Sequence, residues 1–477
     1  MRAACRTLAA VLLLYSFPLD AQREVGVPFG EQTGYVLDFT PPFERIVLDL
    51  GENTLTSGVS AEIEIAPGAA VTGRKGAPVD RSAIRPGIEV SVSGERLGSR
   101  LVAHRVRVLT EVEDRKVKVS GVFEKLEGSV ATIGGQLVTL GPGARVAGAR
   151  EWKGKSFTSF DEMMLGSFVE LEGTRGADGA TRASKGESSP NLYTDTEAEM
   201  LGQLRQGLVT PAANQLSGGQ VEIGGQAFPL VRDLKIQTYV TRVGLKLIPG
   251  YLSDRPAGQP GEILFRFYVI DDPSFNAFAY PDGSVFVHTG LLAVIENEAQ
   301  LAAVLGHEIA HVTHEHGRRQ YETGKKVETG KRTLDIIGRV AAATGRRNPF
   351  GTRDVGGVPV DVGAVLQFGT GVFSNVYSRD MENQADRVGL FYMYEAGYDP
   401  REAPKVWRKI VDQIGRRSKV EEAASRVQTF LYSSHPEARA RLSNLNREVA
   451  LNWYGADFAQ TAVGKESYDK ALRGGAR

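Results

Sequence analysis

Asn297-Glu298-Ala299-Gln300-Leu301-Ala302-Ala303-Val304-Leu305-Gly306-His307-Glu308-Ile309-Ala310-His311-Val312 is the stretch from which the rest of the chain is read. Asn297 has the form of a helix cap with Gln300 reaching back to it, and Leu301, Val304, Leu305, Ile309 and Val312 recur near a 3.6-residue period. The pattern predicts a largely buried helix from Leu301 to His316, ended by Gly317. Imidazoles four residues apart on such a helix point the same way, so His307 and His311 can reach one cation. Glu308, one position further round, is badly placed to ligate the same cation but well placed to hold a water beside it. Zinc brings the pKa of such a water toward ~7, and a carboxylate can take its proton as it attacks a carbonyl carbon. The chain has 7 histidines and four of them fall between 307 and 316, a concentration that chance placement rarely yields. His314 and His316 read differently, as exposed residues of a last turn where they complement the helix dipole.

A catalytic zinc needs a third protein ligand and an open position. Glu382-Asn383-Gln384-Ala385-Asp386 lies in a second helical stretch that runs to Gly397. Glu382 and Asp386 share a face at i and i+4, so one can bind metal while the other accepts the N–H of a ligand histidine. On spacing alone, a solvated acidic face is the simpler reading.

His307-Glu308-x-x-His311 together with Glu382-x-x-Ala385-Asp386 resembles the gluzincin metallopeptidase family of the CAAX prenyl endopeptidase, the heat-shock membrane protease and the periplasmic outer-membrane-assembly peptidases. The resemblance runs over roughly residues 195–450. It includes Asn276-Ala277-Phe278-Ala279-Tyr280-Pro281-x-Gly283, Thr289-Gly290-Leu291-Leu292, Ser378-Arg379 and His435-Pro436 with Arg441. It implies Glu382 as third ligand to one Zn2+ per chain, with Asp386 orienting a ligand histidine. It also implies an edge strand over Ser284-Val285-Phe286-Val287-His288 that pairs with substrate backbone, so that Asn276, Ser284, Val285 and Phe286 would bind peptide. The loop Ser433-Ser434-His435-Pro436 would face the cleft, where His435 stabilises the oxyanion or caps the metal and Arg441 supports the same charge. Plain solvation for His435 and a surface salt bridge for Arg441 are the alternatives. Residues 318–376, Gly- and Arg-rich around Thr344 to Gly351, form either a lid over the cleft or an insertion.

N-terminal to this region the texture is β. Ile46-Val47-Leu48, Ile88-Glu89-Val90-Ser91-Val92, Val117-Lys118-Val119 and Phe168-Val169-Glu170-Leu171 alternate between Gly and Pro turns. Ala66-Pro67-Gly68-Ala69-Ala70-Val71-Thr72-Gly73 returns 75 residues on as Gly141-Pro142-Gly143-Ala144-Arg145-Val146-Ala147-Gly148. Gly87-Ile88-Glu89-Val90-Ser91-Val92-Ser93-Gly94 returns 79 residues on as Gly166-Ser167-Phe168-Val169-Glu170-Leu171-Glu172-Gly173. Two copies of one small OB-like barrel, at about 43–110 and 118–188 within a unit of 25–188, account for both offsets. Residues 174–190 read as a linker, 195–450 as a mainly α zincin-type α+β domain, and 451–477 as a tail.

Two positive charges and the apolar run Leu8 to Phe17 read as an export signal over residues 1–21, placing the chain in the periplasm, or outside the cell or on an N-terminal anchor. Cys5 is the one cysteine, so a processed chain holds its metal with His and carboxylates. The 57 basic and 57 acidic residues give no net field toward nucleic acid, and no later run is long enough to span a membrane. The expected protein is multidomain, with all-β tandem barrels joined to an exported zinc metalloendopeptidase. It would cut polypeptides in unfolded or misassembled envelope proteins, its barrels meeting the envelope assembly machinery. A chaperone-like assembly factor with a latent zinc site is the rival.

Overall fold

The computed structural model describes residues 26–40, 44–49, 60–86, 88–109, 115–176, 180–190, 219–223, 226–252, 263–317, 319, 377–416, 438–453 and 456–472. The expected export signal, residues 191–218, most of the segment 318–376 and the loop carrying His435 lie outside these residues. The stretch 174–190 is not a linker: it holds the strand Thr181–Ser189, which pairs on both sides within the second β unit.

Alternating apolar residues in the N-terminal part do form barrels. Strands β1 (Val27–Thr40), β2 (Arg45–Asp49), β3 (Ser60–Thr72), β4 (Glu89–Leu97) and β5 (Arg100–Val108) close on themselves in the order β1-β2-β3-β5-β4. The inward residues Val36, Ile46, Ile63, Val90, Val92 and Ala103 are fully buried. A second unit follows with β6 (Arg115–Glu127), β7 (Val130–Ile133), β8 (Gln136–Gly148), β9 (Ser156–Phe157), β10 (Phe168–Arg175) and β11 (Thr181–Ser189), curled so that β11 pairs with β8.

The internal repeat is visible in the register. In β3, pairing with the parallel strand β5 jumps from Ile65↔Ala103 to Ala70↔Arg105, skipping over Pro67 and Gly68. In β8, pairing with the parallel strand β11 jumps in the same way, from Leu140↔Ala183 to Arg145↔Lys185, skipping over Pro142 and Gly143. The two glycines at offset 79 also occupy matching places. A Cβ on Gly94 would lie 1.8 Å from the Val102 carbonyl oxygen, and one on Gly173 would lie 2.2 Å from that of Arg182. Each sits at a bulge where two strands come too close for any side chain.

Beyond the barrels, the hairpin β12 (Gln220–Ile223) and β13 (Gln226–Pro229) leads to helix α1 (Leu234–Lys246). A three-stranded sheet, β14 (Arg266–Ile270), β15 (Ala277–Ala279) and β16 (Ser284–His288), is ordered β14-β16-β15. One face of the sheet gives Phe267, Val269, Val285 and Val287 to the main core, and the other stacks Tyr268, Phe286 and Phe278 at centroid separations of 5.0 and 4.9 Å. Helices α2 (Thr289–Val294), α3 (Glu298–Thr313), α4 (Arg379–Glu395), α5 (Ala403–Arg416), α6 (Ala438–Trp453) and α7 (Lys465–Leu472) complete the domain. Among the described residues no helix is long and apolar enough to cross a membrane.

The sheet order corrects one expectation. Ser284, Val285 and Phe286 lie on β16, which pairs with β14 on one side and β15 on the other, and all three are fully buried. A strand apolar on both faces belongs in the middle of a sheet, so β16 has no edge to offer a peptide. Asn276, 1% exposed, accepts the His288 backbone N–H through its own carbonyl and so serves the sheet.

Candidate metal centre

Helix α3 starts as its sequence dictates. The Asn297 side chain accepts the Gln300 backbone N–H at 2.8 Å, and Gln300 Oε1 accepts that of Glu296 at 3.1 Å. Glu298 in the first turn accepts the hydroxyls of Tyr239 and Tyr398 at 2.8 and 2.7 Å, which fixes the N-terminal end inside the core. One turn before its other end, His307 and His311 turn their Nε2 atoms to within 3.0 Å of each other.

Helix α4, capped by the Ser378 side chain, crosses α3 at two glycines. A Cβ on Gly389 would lie 2.8 Å from the His307 backbone nitrogen, and one on Gly306 would lie 3.0 Å from the Gly389 carbonyl oxygen. This close crossing brings Glu382 to the histidines, with Oε2 3.5 Å from His307 Nε2 and Oε1 3.6 Å from His311 Nε2. A tetrahedral zinc with bonds of ~2.0–2.1 Å has ligand–ligand edges of roughly 3.3 Å. Two imidazole nitrogens and one carboxylate, all buried and separated by 3.0 to 3.6 Å, fit that ion as three of its four ligands.

Behind the ligands is a buried charge cluster. His307 Nδ1 lies 3.1 Å from Asp386 Oδ1, the contact expected of a carboxylate that orients a ligand histidine. Arg441, 2% exposed, pairs with both Asp386 oxygens, approaches Glu382 at 2.9 Å and covers the Trp407 ring at 3.7 Å. Burial alone would raise the Asp386 carboxyl, but the Arg441 charge and the His307 contact outweigh it and hold the group down at about 2. Arg441 is therefore not a surface ion pair: its guanidinium is buried against the two carboxylates and also lies 2.9 and 3.1 Å from His307 Nδ1 and Nε2. Glu308, 2% exposed, lines a cavity with His307, Leu291, Val304 and Trp407. His435 falls outside the described residues.

His314 and His316 depart from the expectation of an exposed last turn, for both are completely buried. The helix ends at Thr313, and Glu315 takes a left-handed backbone with φ of 53°, which swings His316 back until its Nδ1 lies 3.0 Å from His311 Nδ1. Three further participants escaped the sequence reading. Tyr377 stacks on the His311 ring at 4.0 Å, Gln384 accepts from His316, and the Gly306–Gly389 crossing sets the helix spacing. Of these, only the glycines left a sequence signal, since Gly inside an otherwise helical pattern marks close packing.

An H-E-x-x-H helix completed by a glutamate from a neighbouring helix defines the gluzincin class of zinc metallopeptidases. Within that class, residues 235–449 match Peptidase family M48, so the chain carries an M48 domain, and zinc is that family's metal. The chain is 26% identical over 261 residues, 52% of its own length, to the beta-barrel assembly-enhancing protease of Yersinia pestis, and 27% identical over 244 residues, 49% of its length, to that of Escherichia coli K12. It is also 30% identical over 217 residues, 43% of its length, to the mitochondrial metalloendopeptidase OMA1 of Bos taurus. The matches cover 50%, 45% and 37% of those proteins, so the chain spans about half the length of the relatives it matches, or less.

Proposed function

We propose that the chain is an exported zinc metalloendopeptidase that cuts unfolded or misassembled envelope proteins. What supports this most directly is the donor set of His307, His311 and Glu382, whose separations of 3.0 to 3.6 Å suit one tetrahedral zinc. When bound there, zinc supplies Lewis acidity that polarises a carbonyl and lowers the pKa of water. Glu308 takes the proton from the attacking water and hands it to the leaving amine. Asp386 fixes the His307 ring through Nδ1, and Arg441 acts as a positioning residue that pairs with Asp386 and Glu382 side by side.

A peptide needs an open strand edge near the metal, and β15 offers one. Asn276, Phe278 and Tyr280 bond or pair inward with β16, so the backbone groups of Ala277 and Ala279 turn outward, and among the described residues no strand pairs with them. Ala279 and Tyr280 line the same cleft as His311 and Tyr377. Substrate backbone added to β15 would run past the metal ligands. Action in the envelope is supported by the export-like N-terminus and by the similarity to bacterial beta-barrel assembly-enhancing proteases.

Incubation of the zinc-loaded chain with unfolded casein, beside a Glu308→Gln variant, tests the reading. Cleavage by the wild type that the variant loses is expected. No cleavage by either, with aggregation suppressed by both, overturns it in favour of a chaperone-like factor.

A further inference from the structure

Hydrogen bonds lead from the metal centre out of the M48 domain and into the second barrel. His311 Nδ1 lies 3.0 Å from His316 Nδ1, His316 Nε2 lies 3.0 Å from Gln384 Oε1, and Gln384 Nε2 donates to the Ser120 carbonyl oxygen on β6 at 2.7 Å. A cation held by His311 Nε2 leaves the ring proton on Nδ1. His311 then donates to His316 Nδ1, the His316 proton sits on Nε2 and goes to the Gln384 carbonyl oxygen, and the Gln384 amide donates to the barrel backbone. Each link needs the donor and acceptor that the previous one leaves, so all three read in one direction.

The barrel side is shaped to receive this side chain. Ser120 and Gly121 lie on β6, held in register against Glu170 and Val169 of β10. A Cβ on Gly134 would lie 3.0 Å from Gln384 Nε2, and one on Gly121 would lie 3.2 Å from it, so the amide occupies a slot walled by two glycines. Beside it the Val122 backbone N–H donates to His314 Nε2 at 3.4 Å. Gly135 touches the α4 backbone, where a Cβ would come within 2.8 Å of Arg387.

We propose that the second barrel is a positioning element of the metal centre, holding His311 in its ligating orientation through His316 and Gln384. This rests on the reading of His307, His311 and Glu382 as zinc ligands and adds that β6 sets how well one of them binds.

The test is the zinc dissociation constant of the full chain, measured by competition with a chromophoric chelator, together with the melting temperature of the metal-free protein. Gln384→Met keeps the side-chain volume and removes both hydrogen bonds. Gly134→Ala alters only the barrel and drives a methyl group against the Gln384 amide. Each is expected to weaken zinc about tenfold or more, the loss typical of removing a partner of a ligand histidine. The double variant should be no weaker than the weaker single, because both break the same link. Gly128→Ala is the matched control. Its φ of 59° is close to the 55° of Gly134 and nothing lies within 4 Å of its Cβ, so it should bind zinc as the wild type does. If Gly134→Ala does not fold, as its melting would show, Gln384→Met carries the test. Wild-type zinc affinity in Gln384→Met and in folded Gly134→Ala overturns the proposal. A wild-type chain that binds no zinc, or a Glu382→Ala variant that binds it equally well, overturns instead the metal reading beneath it.

Discussion

Gly389→Ala tests whether the spacing of two helices controls the metal centre. The added methyl would lie 2.8 Å from the His307 nitrogen, 3.0 Å from the Gly306 carbonyl carbon and 3.1 Å from the His307 Cα, all of them backbone atoms that cannot rotate aside. To reach an ordinary contact of ~3.5 Å the helices must part by roughly 0.7 Å. Overpacking of this kind costs about 1–3 kcal/mol. A helical Gly→Ala change returns about 1 kcal/mol, so the metal-free protein should lose no more than ~2 kcal/mol. The metal feels more, since Glu382 rides on the displaced helix and a site tolerates errors of only ~0.5 Å. A tenfold weaker zinc site forfeits about 1.4 kcal/mol of the stabilisation that excess zinc confers. At about 2–4 °C per kcal/mol for a domain of this size, that is a loss of roughly 3–6 °C from the zinc-induced rise in Tm. Thermal unfolding with excess zinc and with chelator, on wild type and variant, measures it. A variant that keeps the whole zinc-dependent rise refutes the argument.

Glu382→Ala should reduce bound zinc, measured by elemental analysis, from one per chain to well under one, because two imidazoles alone make an incomplete site. Arg441→Met removes the cation shared by Glu382 and Asp386 and should destabilise the chain by about 3–5 kcal/mol, read from urea unfolding, since two buried carboxylates lose their counter-charge. Asp386→Asn leaves the ring of His307 less firmly held and should weaken zinc by about 10–100-fold in a chelator titration. Burial pushes the Glu124 carboxyl, which faces His314, Arg387, Tyr392 and the Gly135 N–H, up to about 8 from an ordinary 4.5. The native state then keeps a proton that the unfolded chain releases, so this contribution is whole below pH 4.5 and is lost as pH rises through 8. Urea midpoints should fall across that window in wild type and fall less in Glu124→Gln; parallel slopes would contradict the assignment.

How much of this was legible beforehand follows the range of the interactions. Beside the two-fold β repeat, which shows as self-similarity between distant segments, two features need only local information: the H-E-x-x-H helix with its Asn297 cap and the i, i+4 pairing of Glu382 with Asp386. Each depends on residues adjacent on one helix or strand, where periodicity fixes which side chains share a face. Period two also marks Ser284–His288 as a strand but carries no information on how many neighbours it has, and the edge position implied by the family resemblance gives way to a central one. His314 and His316 read as solvated because what buries them is distant in the chain: β6, nearly two hundred residues earlier, meets His314, and Gln384 and Tyr377, some sixty residues later, meet His316.

The sequence by itself determined the chemistry: which side chains could bind zinc, which could move a proton, and that two barrels precede them. The tertiary structure decided the geometry. The Gly306–Gly389 crossing sets how near Glu382 comes to the imidazoles, and the seating of the second barrel decides what His311 leans on. Donor chemistry belongs to single residues and can be read one at a time. Distances between helices arise from packing among residues far apart in the chain, which no local pattern encodes.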